Sequence, residues 1–120
     1  MTSQSIKNLG KSFKYAACGF AYVFKNERNF RIQVVAAVLV MALMIAFPLR
    51  TLERIALLLI ITFILVLELI NTIMEKIVDI LKPRIHHYVE TIKDMMAAAV
   101  LIASAGALVI GLLIFWPYLF

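Results

Sequence analysis

The chain has 120 residues, of which 64% are hydrophobic, and carries a formal charge of +5 at pH 7. That composition excludes an ordinary soluble domain and leaves room for one small unit, so the chain reads as a small integral membrane protein. One cysteine, Cys18, excludes an internal disulfide and a multi-cysteine metal site, and basic residues clustered at the apolar boundaries favour anionic headgroups or nucleotides over nucleic acid.

The first predicted element is an amphipathic surface helix and turn over residues 1–29. Ile6, Leu9, Phe13, Ala16, Ala17, Phe20 and Phe24 recur at steps of three or four, with Lys7, Lys11 and Lys14 on other faces. No cleavable signal is expected, because residues 1–31 lack an apolar core. The run Lys25 to Asn29 interrupts the pattern. A first spanning helix follows over 30–48, and Ile32 to Pro48 is free of charge. Pro48 and the segment Leu49 to Glu53 form a short external hairpin that makes the first two spans antiparallel neighbours.

The second span is predicted over 55–81. It opens with Ile55 to Leu67, in which Thr62 is the only polar residue, and continues into Glu68, Asn71, Glu75 and Asp79. At about 100° per residue these four share an arc of roughly 80°. Pro83 is expected to end the helix and Arg84 to Thr91 to form a loop, with the third span over 95–116. Six Lys and Arg residues precede the first span, two lie in the first loop, four in the second and none at the C-terminus, which places the N-terminus and second loop in the cytoplasm.

A carboxylate at membrane depth costs on the order of 2.5 to 3.5 kcal/mol, so a ladder of acids there calls for a compensating ligand such as a cation. Mg²⁺ takes one or two carboxylates together with phosphate oxygens, so two nearby carboxylates of the ladder, with a third available from Glu27, suit a metal-nucleotide complex. Glu68 lies deepest, placed to take a proton from an alcohol held in the lipid, and reads as a general base. A polar seam between helices, with Glu75 paired to a Lys and Asn71 bonded across helices, is the structural alternative. Leu9-Gly10-Lys11-Ser12 is rejected as a phosphate-binding loop, since Ser5 stands where a glycine is required. His86 and His87, expected to diverge by about 100°, are rejected as a metal pair.

The stretch Glu68-Leu69-Ile70-Asn71-Thr72-Ile73-Met74-Glu75-Lys76-Ile77-Val78-Asp79, with Asn26 to Arg31 and Lys93-Asp94-Met95, resembles the bacterial diacylglycerol kinase and undecaprenol kinase family of small three-span lipid kinases. The resemblance runs from Phe13 to the C-terminus. It implies an all-α homotrimer in the bacterial inner membrane that transfers the γ-phosphate of Mg-ATP to a lipid hydroxyl. It further implies Glu68 as proton acceptor, Asn71 as a positioning group, and Glu27 and Glu75 as metal ligands. Tyr15, Gly19, His86, Lys93 and Asp94 would join Glu27 and Glu75 at the nucleotide. Arg84-Ile85-His86 replaces a Glu-Tyr-His of some members, which removes a carboxylate expected near the base. The acceptor is read as undecaprenol, with diacylglycerol as the alternative. A small proton-coupled multidrug exporter, which has little use for the acids at the membrane rim, and a structural membrane subunit that binds a partner through the polar seam are readings of other classes, and magnesium-dependent nucleotide binding separates the kinase from both.

Overall fold

The structure, a computed structural model, describes residues 2–120. Helix α1 (Ser3–Asn26) starts where the Thr2 hydroxyl accepts the Ser5 N–H at 3.1 Å, an N-cap that satisfies one free donor of the first turn. It ends at a single extended residue, Glu27 (φ −114°, ψ 110°). The break is narrower than the Lys25 to Asn29 interruption read from the sequence, because Arg31 closes it. Its Nη1 donates to the Phe24 and Lys25 carbonyls at 3.0 and 2.9 Å, satisfying acceptors that the last turn leaves open. Phe30, only 1% exposed, packs edge-on against Phe20 at 5.3 Å and fixes the corner. Elsewhere α1 is almost wholly exposed; Val23 is its one buried residue.

Helix α2 (Arg28–Ala46) stops ahead of Pro48, whose ring forces Phe47 into extended backbone (φ −102°, ψ 146°). Helix α3 (Thr51–Leu119) opens with the Glu53 carboxylate reaching back to accept the Arg50 backbone N–H at 2.9 Å.

As one straight rod, 69 residues of helix would extend roughly 100 Å. The longest dimension of the molecule is 54 Å, so α3 doubles back. The fold point is Ile85 (φ −123°, ψ 26°), the one residue inside α3 with non-helical dihedrals. The limbs 51–84 and 86–119 run antiparallel, and contacts such as Glu53 with Tyr118 and Asp79 with Lys93 join positions about equally distant from that point.

This corrects the sequence reading at two places. Arg84 to Thr91 is not an open loop but helix on both sides of one kink, and Pro83 stays helical, with the break two residues beyond it. Proline removes the hydrogen bond to the carbonyl of Asp79, four residues back, and so weakens the helix without fixing where it yields. The rings of His86 and His87, expected to diverge, lie with centroids 3.9 Å apart just past the kink.

At the end away from the kink, Met44, Leu49, Leu57 and Phe115 form a buried cluster, with Phe47 edge-on to Phe115 at 6.0 Å. Most other large apolar side chains point outward, including Leu59, Phe63, Leu101, Ile102 and Leu113. By length and composition α2 and α3 can each cross a membrane.

Candidate active site

The helical period brings Glu68, Asn71 and Glu75 onto one wall of a cleft of about 380 Å³ between α2 and the two limbs of α3. Asn29, Ile32 and Gln33 of α2 form a second wall, and Ala97, Val100, Leu101 and Ser104 a third. Glu68 is the deepest of the acids, 4% exposed; Asn71 and Glu75 are half-buried. The Asn71 amide donates to Glu75 Oε1 at 3.4 Å along the same helix. One turn beyond, Asp79 pairs with Lys93 across the limbs at 2.9 Å, both side chains largely in solvent. The polar-seam alternative needed Asn71 bonded to another helix and Glu75 paired to a Lys. Asn71 bonds within its own helix instead, and the ion pair involves Asp79.

Glu27, half-buried, occupies the break between α1 and α2, close enough to Glu68 and Lys76 for its charge to act on both. The Lys76 ammonium in turn lies over the Tyr22 ring, 5.4 Å from its centroid, which ties the end of α1 to the acid-bearing limb. Tyr15 and Gly19 fall on the same stripe of α1 as Tyr22 by helical spacing, but neither lines the cleft. Tyr15 is 70% exposed, and a Cβ on Gly19 would meet no atom within 4 Å. His86 sits exposed at the kink, and Asp94 is exposed beside the paired Lys93. The fold therefore gathers Glu68, Asn71 and Glu75, sets Glu27 beside them, and leaves Tyr15, Gly19, His86, Lys93 and Asp94 outside the cleft.

Two cleft residues escaped the sequence reading. Gln33 is the one polar side chain between Ile32 and Pro48, and Ser104 the one polar side chain between Met95 and Phe115. An isolated polar residue in a spanning segment is itself a signal, because it is costly in lipid without a partner. Both also line a second, almost wholly apolar groove of about 470 Å³ that continues from the cleft toward Phe115.

A family model for prokaryotic diacylglycerol kinase matches residues 14–115. The chain belongs to the prokaryotic diacylglycerol kinase family. It is 36% identical over 109 residues to a diacylglycerol kinase of Synechocystis sp., covering 90% of this chain and 62% of that protein. It is 35% identical over 109 residues to the undecaprenol kinase of Bacillus subtilis, covering 91% of this chain and 89% of the relative. With the diacylglycerol kinase of Escherichia coli K12 it shares 28% identity over 113 residues, 94% of this chain and 89% of the relative. The chain thus spans somewhat under two thirds of the Synechocystis protein and most of the other two.

Membership of a lipid kinase family implies phosphoryl transfer from ATP, and the donor set suits the divalent cation such chemistry uses. Glu27 and Glu75 offer carboxylate oxygens, the ligand type Mg²⁺ takes, and Glu75 keeps one oxygen outside its bond to Asn71. Among the described residues no three His, Cys, Asp or Glu side chains gather into a metal site of their own. A cation held here would complete its shell with phosphate and water oxygens.

Proposed function

We propose that this protein is a membrane lipid kinase that transfers the γ-phosphate of Mg-ATP to the hydroxyl of a lipid alcohol, with undecaprenol as the acceptor. The observation that carries the reading is the position of Glu68. It is a buried carboxylate in the wall of a polar cleft it shares with Glu75, and it stands one helical turn from Ile64 and Leu65, which line an apolar groove that runs the other way along the helices. A phosphate donor approaches from the polar side and a hydrocarbon tail from the apolar side. The two reactants then meet at a group able to accept a proton.

In this mechanism Glu68 removes the proton from the acceptor hydroxyl as its oxygen attacks the γ-phosphorus, and ADP leaves. Asn71 holds Glu75 in place through its amide. Glu75 and Glu27 would hold the cation, which would supply positive charge to offset the negative charge of the phosphates. Lys93, Asp94 and His86, with Tyr15 and Gly19 of α1, take the rest of the nucleotide. Because those residues stand outside the cleft of their own chain, the site is proposed to be completed between subunits of a homotrimer. Lys and Arg placement supports an N-terminus and a kink on the cytoplasmic side, where ATP is found, with α2 and the two limbs of α3 as three crossings.

The test is phosphate transfer from labelled Mg-ATP in mixed micelles, with undecaprenol and diacylglycerol offered side by side and Glu68→Gln as control. Labelled undecaprenyl phosphate that disappears in the variant is the expected result. Label on neither lipid, from folded protein that binds Mg-ATP, would overturn the reading.

A further inference from the structure

We infer that Gln33 and Ser104 together bind the acceptor's hydroxyl oxygen and select alcohols that carry no ester groups beside it. The inference deepens the lipid-kinase reading and rests on it. Of the residues lining the two cavities, Gln33 and Ser104 are the pair common to both, so they flank the passage between polar cleft and apolar groove. They come from different elements, α2 and the second limb of α3, and reach the passage from two sides with Glu68 on the third. Each is the sole polar residue of its apolar stretch; Gln33 lies within hydrogen-bonding reach of Glu68, and its second amide N–H and the Ser104 hydroxyl can serve one guest.

The chemistry of the three groups is complementary to one alcohol. An attacking hydroxyl gives its proton to Glu68 and presents oxygen lone pairs that need donors; the Gln33 amide and the Ser104 hydroxyl are donors. Past this pair the groove is lined by side chains such as Ala36, Ala37, Val40, Ile64 and Leu65, with no side-chain donor. A long-chain polyprenol asks for none there, since its single oxygen is already held. A diacylglycerol brings two ester carbonyls within a few bonds of its hydroxyl, and burying those without donors disfavours it. Discrimination of this kind, in which one substrate leaves polar groups unpaired, is stronger than discrimination by shape alone.

The experiment uses the full chain in mixed micelles at saturating Mg-ATP and measures KM for undecaprenol and for dioleoylglycerol. The variants are Gln33→Met, Ser104→Ala and Ser104→Thr. The first two nearly keep side-chain volume and remove the donor; the third keeps the hydroxyl. Expected are a rise of about tenfold in KM for undecaprenol in Gln33→Met and in Ser104→Ala, the loss of one hydrogen bond each to a buried oxygen. KM for ATP stays unchanged, Ser104→Thr restores most of the loss, and wild type favours undecaprenol over dioleoylglycerol by at least tenfold in kcat/KM. An unmoved acceptor KM, an equal rise in KM for ATP, or equal use of the two lipids overturns the inference while the kinase reading stands. A wild-type protein that phosphorylates neither lipid overturns both.

Discussion

The two ends of the α3 hairpin treat their acids in opposite ways. At the end away from the kink, Glu53 is multiply bonded through one oxygen. Its Oε1 accepts the Tyr118 hydroxyl at 2.6 Å, the Arg50 backbone N–H at 2.9 Å and Arg50 Nε at 3.4 Å, above a core of Phe47, Leu57 and Phe115. Nearer the kink, Glu75 receives one long bond from Asn71, and Glu68 is buried in a wall of the cleft with Gln33 opposite. An acid held by three short-range bonds on one oxygen, one of them from the opposite limb, ties the two limbs together. An acid left under-used beside a cavity retains capacity for a substrate, because a buried polar group is retained only where a partner compensates it.

The largest effect that would break this contrast is at Glu68. Glu68→Gln is expected to lower kcat by at least about a hundredfold, the span of a lost general base, with Mg-ATP binding largely preserved. Glu75→Gln comes next, with the affinity for Mg-nucleotide reduced roughly tenfold, about 1.4 kcal/mol, as measured by titration. Equal loss of binding in the two variants would sink the division of roles.

Tyr118→Phe tests the other end. It is expected to lower Tm by a few degrees with kcat and both KM values unchanged. The Tyr118 hydroxyl, then the Arg50 backbone N–H, hold the Glu53 carboxyl below the ordinary carboxylate range. A carboxyl with a lower pKa in the folded state than in the unfolded one stabilises above the unfolded value, and that contribution fades as the pH falls through the folded value. The gap in Tm between wild type and Tyr118→Phe should therefore be full at neutral pH and close on acidification; a gap that widens in acid would contradict the assignment. Asp79→Asn is the smallest change, since an ion pair so open to solvent contributes little. Its Tm should stay near that of wild type at moderate salt.

Much of the site was legible because it is local. Glu68, Asn71 and Glu75 share a wall of the cleft as the helical period requires, and Glu27 lies at the break that its polar surroundings announced. What escaped depended on other helices. Gln33 and Ser104 stand out within their own segments only as lone polar residues, and they acquire a common place when α2 and the second limb of α3 bring them to one passage. The reach of Arg31 back to Phe24 and Lys25, which shortens the break to one residue, follows from a side-chain path that periodicity does not encode. The segment 84–91, expected as a loop, is helix because Pro83 weakens the helix without ending it: the chain yields at Ile85 and helix continues on both sides.

Sequence alone determined the helices, their apolar character and the ladder of acids, since all three depend on the order and spacing of residues along one chain. Tertiary structure decided which acid ties the two limbs together and which lines the cleft, where the polar cleft meets the apolar groove, and which lone polar residues stand at that junction. The pairing of Glu53 with Tyr118, 65 positions away, depends on where α3 turns. A shift of that turn by one residue would move every facing pair of the hairpin, and no local propensity fixes it.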